Sequence, residues 1–258
     1  MKYDFLYMDI LGFSDMVNNK SPKIPKIFEM IDSLSSFGHF AFTTISFSDT
    51  VLVFNKDNDS PPHYYVTYLI EFAQQLFYKL LSIGVYYKGI ITCGEFEYHE
   101  LTNINSYWGN ALIEAYNDEK NIKGFGLFIR KDMANDVIVL DKQTITDKYD
   151  FVYLCQSYIN LYKYYNGILP IDIEVLTETD DYARIDEDLK FFREIEFLKK
   201  NHPNNKIRKK YSTVYNWYKK KTPKFFKIFQ KQGFYPFILN HNYLGTINPF
   251  IITAELNF

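Results

Sequence analysis

The sequence predicts an α+β fold, an α/β sandwich in which helices pack against one sheet, for the first two thirds of the chain. Three observations support this prediction: strand-like apolar runs alternate with segments of helical periodicity, turn residues separate them, and 258 residues suffice for one large domain. With 47% hydrophobic and 23% charged residues, the composition is that of an ordinary globular protein.

The first segments already alternate between the two periodicities. Residues 3–10 are apolar on both faces, which predicts a strand in the middle of a sheet. Apolar residues at helical spacing predict a helix from about Pro25 to Phe37. Two short strands, Phe40–Ile45 and Thr50–Phe54, are then predicted to form a hairpin around the turn Ser46-Phe47-Ser48-Asp49.

The alternation continues up to about residue 140. Tyr64–Leu81 carries an apolar stripe and is predicted as a helix, and Val85–Cys93 is predicted as a strand. A second helix is expected from Asn110 to about Glu119, and later strands at Gly126–Ile129 and Val137–Leu140. This order of strand, helix, hairpin, helix, strand, helix and strand is typical of a ferredoxin-like or palm-type fold.

The character of the chain changes near residue 175, which predicts a domain over 1–175 and a helical, basic C-terminal extension over 176–258, packed on the same domain. Residues 172–196 contain ten acidic and three basic side chains, whereas residues 199–231 contain twelve Lys or Arg and no acid. Charges that pair within the extension or across a dimer would explain this asymmetry, and binding to nucleic acid or another anionic surface is the alternative. The formal net charge of −2 argues against a generally basic nucleic-acid-binding protein.

The cysteine content and the N-terminal sequence predict the cellular location of the protein. Two cysteines, Cys93 and Cys155, form neither a disulfide framework nor a zinc site, which predicts a reducing, cytoplasmic location. The N-terminus has no secretory signal and no segment approaches the length of a membrane span, so we expect no membrane association.

Two aspartates at the ends of strand-like runs are the candidate catalytic residues. Asp9 follows the first apolar run and precedes a Gly-Phe-Ser turn, and Asp49 lies in the hairpin turn forty residues later. The hairpin would bring the two carboxylates together at adjacent strand ends. Such a pair suits two Mg²⁺ or Mn²⁺ ions, about 4 Å apart, that carry a nucleoside triphosphate. The alternative is a structural carboxylate at each strand end.

Four motifs in residues 5–120 resemble those of class III nucleotide cyclases, the superfamily of adenylate and guanylate cyclase catalytic domains, and the C-terminal third is not covered. The resemblance is carried by Asp9-Ile10-Leu11-Gly12-Phe13-Ser14, by Ser48-Asp49, by Lys88-Gly89-Ile90-Ile91-Thr92-Cys93-Gly94-Glu95, and by Trp108-Gly109-Asn110-Ala111-Leu112-Ile113-Glu114-Ala115-Tyr116.

The resemblance implies a two-metal enzyme that works as a homodimer. Asp9 and Asp49 would bind both ions, with the carbonyl of Ile10 as a further ligand. The backbone N–H groups of Leu11 to Ser14 would hold the β- and γ-phosphates. Two chains would pair head to tail with active sites at the interface, one supplying the metal ligands and the other the base and ribose contacts.

The positions with which purine-specific members read their substrate differ in this chain. The base-reading Lys and Asp of the family correspond to Ile45 and Ser106, and the ribose-orienting Asn and transition-state Arg correspond to Ile113 and Asn117. The resemblance therefore implies that a purine is not read by the usual contacts, and Asn117 becomes the candidate at the third catalytic position.

The details of the motifs resemble a subgroup, the pyrimidine cyclases of bacterial anti-phage (Pycsar) systems. This implies conversion of UTP, favoured over CTP, to the 3′,5′-cyclic monophosphate and pyrophosphate, with the product activating a separate cyclic-nucleotide-responsive effector protein. Candidate substrate contacts are Phe47, Ser48, Lys88 and Asn110. Lys88 is alternatively a solvated lysine at a strand end. A silent cyclase-like nucleotide-binding module and a purine cyclase are the alternative functions.

Overall fold

The computed structural model describes residues 2–36, 41–57, 59–137, 140–165, 167, 183–236 and 239. The chain divides into two compact units, Met1–Leu154 and Cys155–Phe258. The predicted boundary at residue 175 lies outside the described residues, so the division into 1–175 and 176–258 stays a prediction.

A mixed seven-stranded sheet forms the centre of the first unit. The strands of this unit are β1 (Lys2–Ile10), β2 (Phe42–Phe47), β3 (Thr50–Asn55), β4 (Tyr87–Glu95), β5 (Glu97–Glu100), β6 (Asn105–Trp108), β7 (Gly126–Arg130), β8 (Lys142–Thr144) and β9 (Tyr149–Val152). The large sheet has the order β2-β3-β1-β4-β7-β9-β8, and β5 pairs with β6 in a separate hairpin. Strands β4 and β7 are parallel, while the other neighbours run antiparallel.

Helices accompany this sheet in the first unit and make up the described part of the second. They are α1 (Phe13–Asn18), α2 (Lys23–Ser36), α3 (Pro62–Ser82), α4 (Asn110–Asn121), α5 (Gln156–Tyr164), α6 (Ile185–Asn201), α7 (Asn205–Lys221) and α8 (Pro223–Lys231). A mixed sheet with helices confirms the predicted α+β class, and α6 to α8 confirm the helix-rich C-terminal part.

The long elements agree with the sequence predictions, and several short ones were missed. The central strand, the hairpin, strands β4 and β7, and helices α2, α3 and α4 are confirmed. Helix α1, the hairpin of β5 and β6, and strands β8 and β9 were not predicted, because each is short and several are polar. In the predicted strand Val137–Leu140, both ends are buried but lie outside any strand, and residues 138 and 139 lie outside the described residues.

Strand β1 lies in the middle of the sheet and buries both of its faces. On one face, Phe5 and Tyr7 pack in a cluster that includes Leu52 of β3 and Ala111 and Ala115 of α4. The side chains between them point to the opposite face, which α3 contacts. Burial on both faces explains why residues 5–8 of this strand are all apolar instead of alternating with polar ones.

Two glycines allow strand β4 to approach the start of α4 closely. A Cβ on Gly94 would lie 2.8 Å from the Cβ of Ala111, and a Cβ on Gly109 would lie 2.3 Å from the carbonyl oxygen of Glu95. The two glycine-containing motifs of the sequence are therefore packed against each other in space. Backbone contact requires a glycine at position 109, and contact with the Cβ of Ala111 requires one at position 94.

The second unit has an aromatic core and a buried capping arrangement. Phe192, Phe225 and Phe226 are fully buried around Tyr158. The buried carboxylate of Asp188 accepts a hydrogen bond of 2.8 Å from the backbone N–H of Tyr158, in the first turn of α5. This side chain from α6 therefore satisfies an N–H group that the end of α5 leaves without a helical partner.

Gly109→Ala should lower the free energy of unfolding by more than about 2 kcal/mol, because the new Cβ overlaps backbone atoms that cannot yield. Gly84→Ala is the control: its φ of 62° is left-handed, but the nearest atom to a Cβ is the Lys23 Nζ at 3.7 Å, so only about 1 kcal/mol of backbone strain is expected. Urea unfolding measures both, and equal losses would contradict the close-contact explanation.

Candidate active site

Backbone pairing brings the two predicted metal-binding aspartates to neighbouring strand ends. Asp9 lies one residue from the end of β1 and faces Thr50 of β3. The backbone N–H of Ile10 donates to the carbonyl oxygen of Asp49 over 2.9 Å. Both aspartates are half-buried. The expected juxtaposition is therefore present, while their role as metal ligands stays a prediction.

The turn that carries Asp49 is a tight two-residue connection between β2 and β3. Ser48 has a φ of 55°, a left-handed conformation that is uncommon for residues other than glycine. Phe47 and Thr50 pair directly across the base of the turn and hold it in place. The direction of the Asp49 side chain thus depends on a local backbone conformation that both strands impose.

The loop after Asp9 differs in one respect from the predicted phosphate cradle. The backbone N–H of Leu11 donates to the carbonyl oxygen of Tyr86 over 2.9 Å. This N–H is therefore used in a backbone hydrogen bond next to the sheet and does not face the loop. The backbone N–H groups that are left to bind phosphate are therefore those of Gly12, Phe13 and Ser14 at the start of α1. Gly12 is left-handed, with a φ of 73°, and the Phe13 ring is buried.

A cleft of about 500 Å³ lies on the face of the sheet that α4 covers. Thr50, the cross-strand partner of Asp9, is one of its lining residues, so the cleft lies beside the carboxylate pair. Its other walls come from β1, β2, β3, β6 and α4 and are mostly apolar; they include Tyr7, Ile45, Phe47, Leu52, Tyr107, Ile113, Tyr116 and Asn117. Such a cleft can take a flat, partly apolar group next to a polyanion.

Three of the four positions that depart from the purine-specific pattern meet in this cleft. Ile45, Ile113 and Asn117 all line it, whereas Ser106 lies on β6 beside the lining residue Tyr107. The sequence pattern placed these residues on three separate segments, and the fold collects them at one surface. The cleft therefore presents aliphatic groups at two of the positions where the family has polar ones.

Phe47 is the most exposed of the described large hydrophobic residues, with 73% of its surface accessible. It lies at the end of β2, next to the strained turn, and lines the cleft. Its neighbour Ser48 is also exposed. An aromatic ring at the mouth of an apolar cleft is suited to stacking on a nucleobase.

Lys88 has a structural role that the sequence did not reveal. It is 2% exposed, and its Nζ donates to the backbone carbonyls of Glu119 and Ile122 over 2.6 and 2.9 Å. It also forms an ion pair of 3.0 Å with the Glu119 carboxylate. These three oxygens match the three donors of an ammonium group and lie at the negative end of α4. This corrects both expectations for Lys88: it is not a solvated strand-end lysine, and a contact with phosphate or base would break these bonds.

A second anchor holds the same end of α4 from the other side. The hydroxyl of Tyr149 donates to the Asp118 carboxylate over 2.7 Å, and the Nζ of Lys148 donates to the same oxygen over 2.6 Å. Burial raises the pKa of Tyr149 well above its usual value, and Asp118 adds to the shift, so the phenol remains a donor at neutral pH. The helix turn that carries Asn117 is thus held from both β4 and β9.

The remaining candidates are placed as follows. Asn110 is the first residue of α4 and is exposed, about 10 Å along the helix axis from Asn117, so one chain does not bring both to the cleft.

Burial raises the pKa of the cleft residue Tyr7 to about 12, and the nearby Asp9 carboxylate adds to the shift. Tyr7 therefore stays protonated at neutral pH in the wall next to Asp9.

The donor set at the strand ends fits a hard divalent cation. No hydrogen bond or ion pair of the Asp49 carboxylate is found among the described residues, and this half-buried group lies beside a second carboxylate. Carboxylate and carbonyl oxygens are the ligands that Mg²⁺ and Mn²⁺ prefer. The described residues contain no group of three or more Asp, Glu, His or Cys side chains that could hold a metal ion, so further ligands would have to come from the backbone and the substrate.

The structure resembles nucleotide cyclase catalytic domains, but no family model and no curated protein matches the sequence. It is similar to the guanylyl cyclase domain of the RhoGC fusion protein from the aquatic fungus Blastocladiella emersonii, at 14% identity and a TM-score of 0.49 over 59% of this chain and 94% of that chain. It is similar to the adenylyl cyclase CyaB from P. aeruginosa at 13% identity and a TM-score of 0.43, over 59% of this chain and 93% of that chain. For an adenylate cyclase from Trypanosoma brucei, the identity is 12% and the TM-score is 0.41, over 58% of this chain and 86% of that chain. At such scores and identities, none of these likenesses decides what this chain does.

No helix within the described part of the chain is both long and apolar enough to cross a membrane.

Lys88→Met should lower the free energy of unfolding by about 3 kcal/mol, because it leaves the Glu119 carboxylate and two carbonyl oxygens without their donor. The matched control is Lys123→Met, which removes the same charge from an exposed position just after α4 and should change stability by less than about 0.5 kcal/mol. Urea unfolding distinguishes the two, and a Lys88 variant as stable as the control would disprove the structural role.

Proposed function

We propose that this chain is a nucleotide cyclase that converts a pyrimidine nucleoside triphosphate, UTP in preference to CTP, to its 3′,5′-cyclic monophosphate and pyrophosphate. The observation that carries the proposal is the paired placement of Asp9 and Asp49 beside a cleft in which Ile45 and Ile113 replace polar groups. The cyclase-like motifs add to this support, because Asp9 and Asp49 belong to two of them and the cleft-lining residues Ile113 and Tyr116 belong to a third.

The chain's own residues divide the work into binding and positioning. Asp9, Asp49 and the carbonyl of Ile10 would hold two Mg²⁺ or Mn²⁺ ions, which when bound supply polarisation of the attacking hydroxyl and neutralisation of the leaving group. The N–H groups of Gly12 to Ser14 would bind the phosphates. The ribose 3′ oxygen forms a bond to the α-phosphorus, the bond to the β-phosphate oxygen breaks, and the hydroxyl proton passes to solvent.

The cleft would bind the base. At about 500 Å³ it lies within the usual range for small-molecule sites, and Phe47 at its mouth offers a stacking surface. Ser48 and Asn110 remain candidate polar contacts. The aliphatic side chain of Ile45 lacks the donor with which the base-reading lysine would bind a purine edge, and this favours a smaller base. Ile113 likewise lacks the amide that would orient the ribose.

A homodimer would complete the site. Phe47, Ile113 and Tyr116 expose 73%, 60% and 46% of their surfaces around the cleft, which is more apolar surface than a solvated helix face needs. A second copy, packed head to tail, would cover these side chains. It would also bring its own cleft, with Ile45, Ile113 and Asn117, towards the nucleotide held by Asp9 and Asp49 of the first copy, so that one chain holds the metal ions and the other the base.

The cellular role rests on the motif resemblance. We infer a cytoplasmic enzyme of bacterial anti-phage defence, whose cyclic pyrimidine product is a second messenger for a separate effector protein. One observation favours a second candidate, a silent nucleotide-binding module: Asn117 and Ile113 occupy positions where active relatives would have an arginine and an asparagine.

Asp49→Asn should reduce cyclic product at least about 100-fold without changing the melting temperature, since it removes a ligand and no packing contact. The assay supplies ATP, GTP, CTP and UTP separately with Mn²⁺ and separates the products by chromatography. Asp147→Asn, a charge-matched change at an exposed position, should leave turnover unaffected. Cyclic AMP or GMP from the wild-type chain would contradict pyrimidine specificity, and nucleotide binding without any product would favour the silent module.

Phe47→Ala should raise the KM for the pyrimidine nucleotide about 10-fold, because stacking of a base on an aromatic ring contributes about 1–3 kcal/mol. Phe47→Trp should restore the KM, and Phe197→Ala, which removes another exposed ring, should not change it. The KM is measured by steady-state kinetics, at a protein concentration at which the variant is dimeric. An unchanged KM with a lowered kcat would exclude a stacking role.

A further inference from the structure

Helices α7 and α8 carry exposed lysines that the cyclase proposal does not use. We call these lysines the basic face, and they are Lys206, Lys209, Lys219, Lys220, Lys224, Lys227 and Lys231. Neither helix contains an acidic residue. Among the described residues, no carboxylate forms an ion pair with any of these seven ammonium groups.

The neighbouring helix in the same unit shows the ordinary arrangement. On α6, Lys190 pairs with Glu194 over 3.8 Å and Lys200 pairs with Glu196 over 3.5 Å. Along α8, by contrast, Lys224, Lys227 and Lys231 follow one another at spacings of three and four residues, where like charges repel. The basic face therefore costs stability in the isolated unit, whereas the charges of α6 offset each other.

Helix dipoles do not account for this face. Lys219 and Lys220 lie in the last turn of α7, where cations are favourable. Lys206 and Lys224, however, lie in the first turns of α7 and α8, where the helix dipole disfavours a positive charge. Local helix stability thus explains part of the lysine distribution and opposes the rest.

The basic face is displayed on a rigid support. The opposite side of α8 consists of Phe225, Phe226 and Phe229, all with 0% exposure. The helical rise then sets the three lysines of α8 about 4.5 Å and about 6 Å apart along the axis. Duplex nucleic acid presents one phosphate per about 3.4 Å along each strand, so a fixed row of this kind can meet successive phosphates.

We propose that the basic face binds the sugar-phosphate backbone of a nucleic acid. The chemistry favours this partner over a membrane, because α7 and α8 expose none of the described large hydrophobic side chains that would insert into lipid. It also favours it over a protein partner, because lysine is depleted in the cores of protein interfaces. Lysines, as mobile point charges, contact phosphates without reading bases, so binding is independent of sequence.

The test measures binding of the full chain to a 20-base-pair DNA duplex by fluorescence anisotropy between 50 and 200 mM NaCl. The variant Lys224→Gln/Lys227→Gln/Lys231→Gln should lower the slope of log affinity against log salt by about 2.7, since each phosphate contact contributes about 0.9. The matched control, Lys20→Gln/Lys26→Gln/Lys123→Gln, removes three exposed lysines of the first unit and should leave the slope unchanged. Single-stranded DNA and double-stranded RNA, titrated in parallel, distinguish the type of nucleic acid.

Three results would overturn the proposal. These are no binding to any of the three nucleic acids at 50 mM salt, binding to phosphatidylserine vesicles but not to nucleic acid, or equal loss of affinity in the variant and its control. If the triple variant melts at a lower temperature than the wild-type chain, Lys206→Gln/Lys209→Gln on α7 takes its place, with an expected slope change of about 1.8. The basic face includes none of the proposed cyclase residues, so either proposal can fail without the other.

Discussion

The pairing of β1 with its two neighbours is the constraint on which the candidate site depends. It places Asp9 directly across from Thr50 on one side and Lys88 on the other, and it ties Ile10 to the carbonyl of Asp49. A slip of one residue would turn Asp9 to the opposite face of the sheet. The two buried faces of β1 prevent that slip, because it would also exchange every core side chain of the strand.

The cleft depends on the same strands through helix α4. Lys88 holds the last turns of α4 against β4, and Tyr149 with Lys148 holds Asp118 from β9. The cleft-lining residues of α4 lie on the turns just before these anchors. The polar contacts of these anchors therefore position α4, and the surface of the cleft is left free to bind the substrate.

Much of the first unit follows from the sequence because its main elements are long and strongly periodic. The short elements α1, β8 and β9 offered too little pattern, and the two strands depend on pairing partners elsewhere in the sheet. Lys88 shows the same limit at the site, since its burial depends on carbonyls more than thirty residues away. The net charge of −2 averages over two unlike units: residues 1–154 hold thirteen basic and twenty acidic side chains, whereas residues 155–258 hold sixteen basic and eleven acidic ones.

The sequence by itself determined the alternation of strands and helices, the two aspartates at strand ends and the residue types at the departing positions, because these are local properties of the chain. Only the tertiary structure decided that Ile45, Ile113 and Asn117 share one cleft, that the Leu11 N–H is used in pairing, and that Lys88 is buried. Those outcomes depend on strand register and on the approach of α4 to β4 at Gly94 and Gly109, which bring together residues from distant parts of the chain.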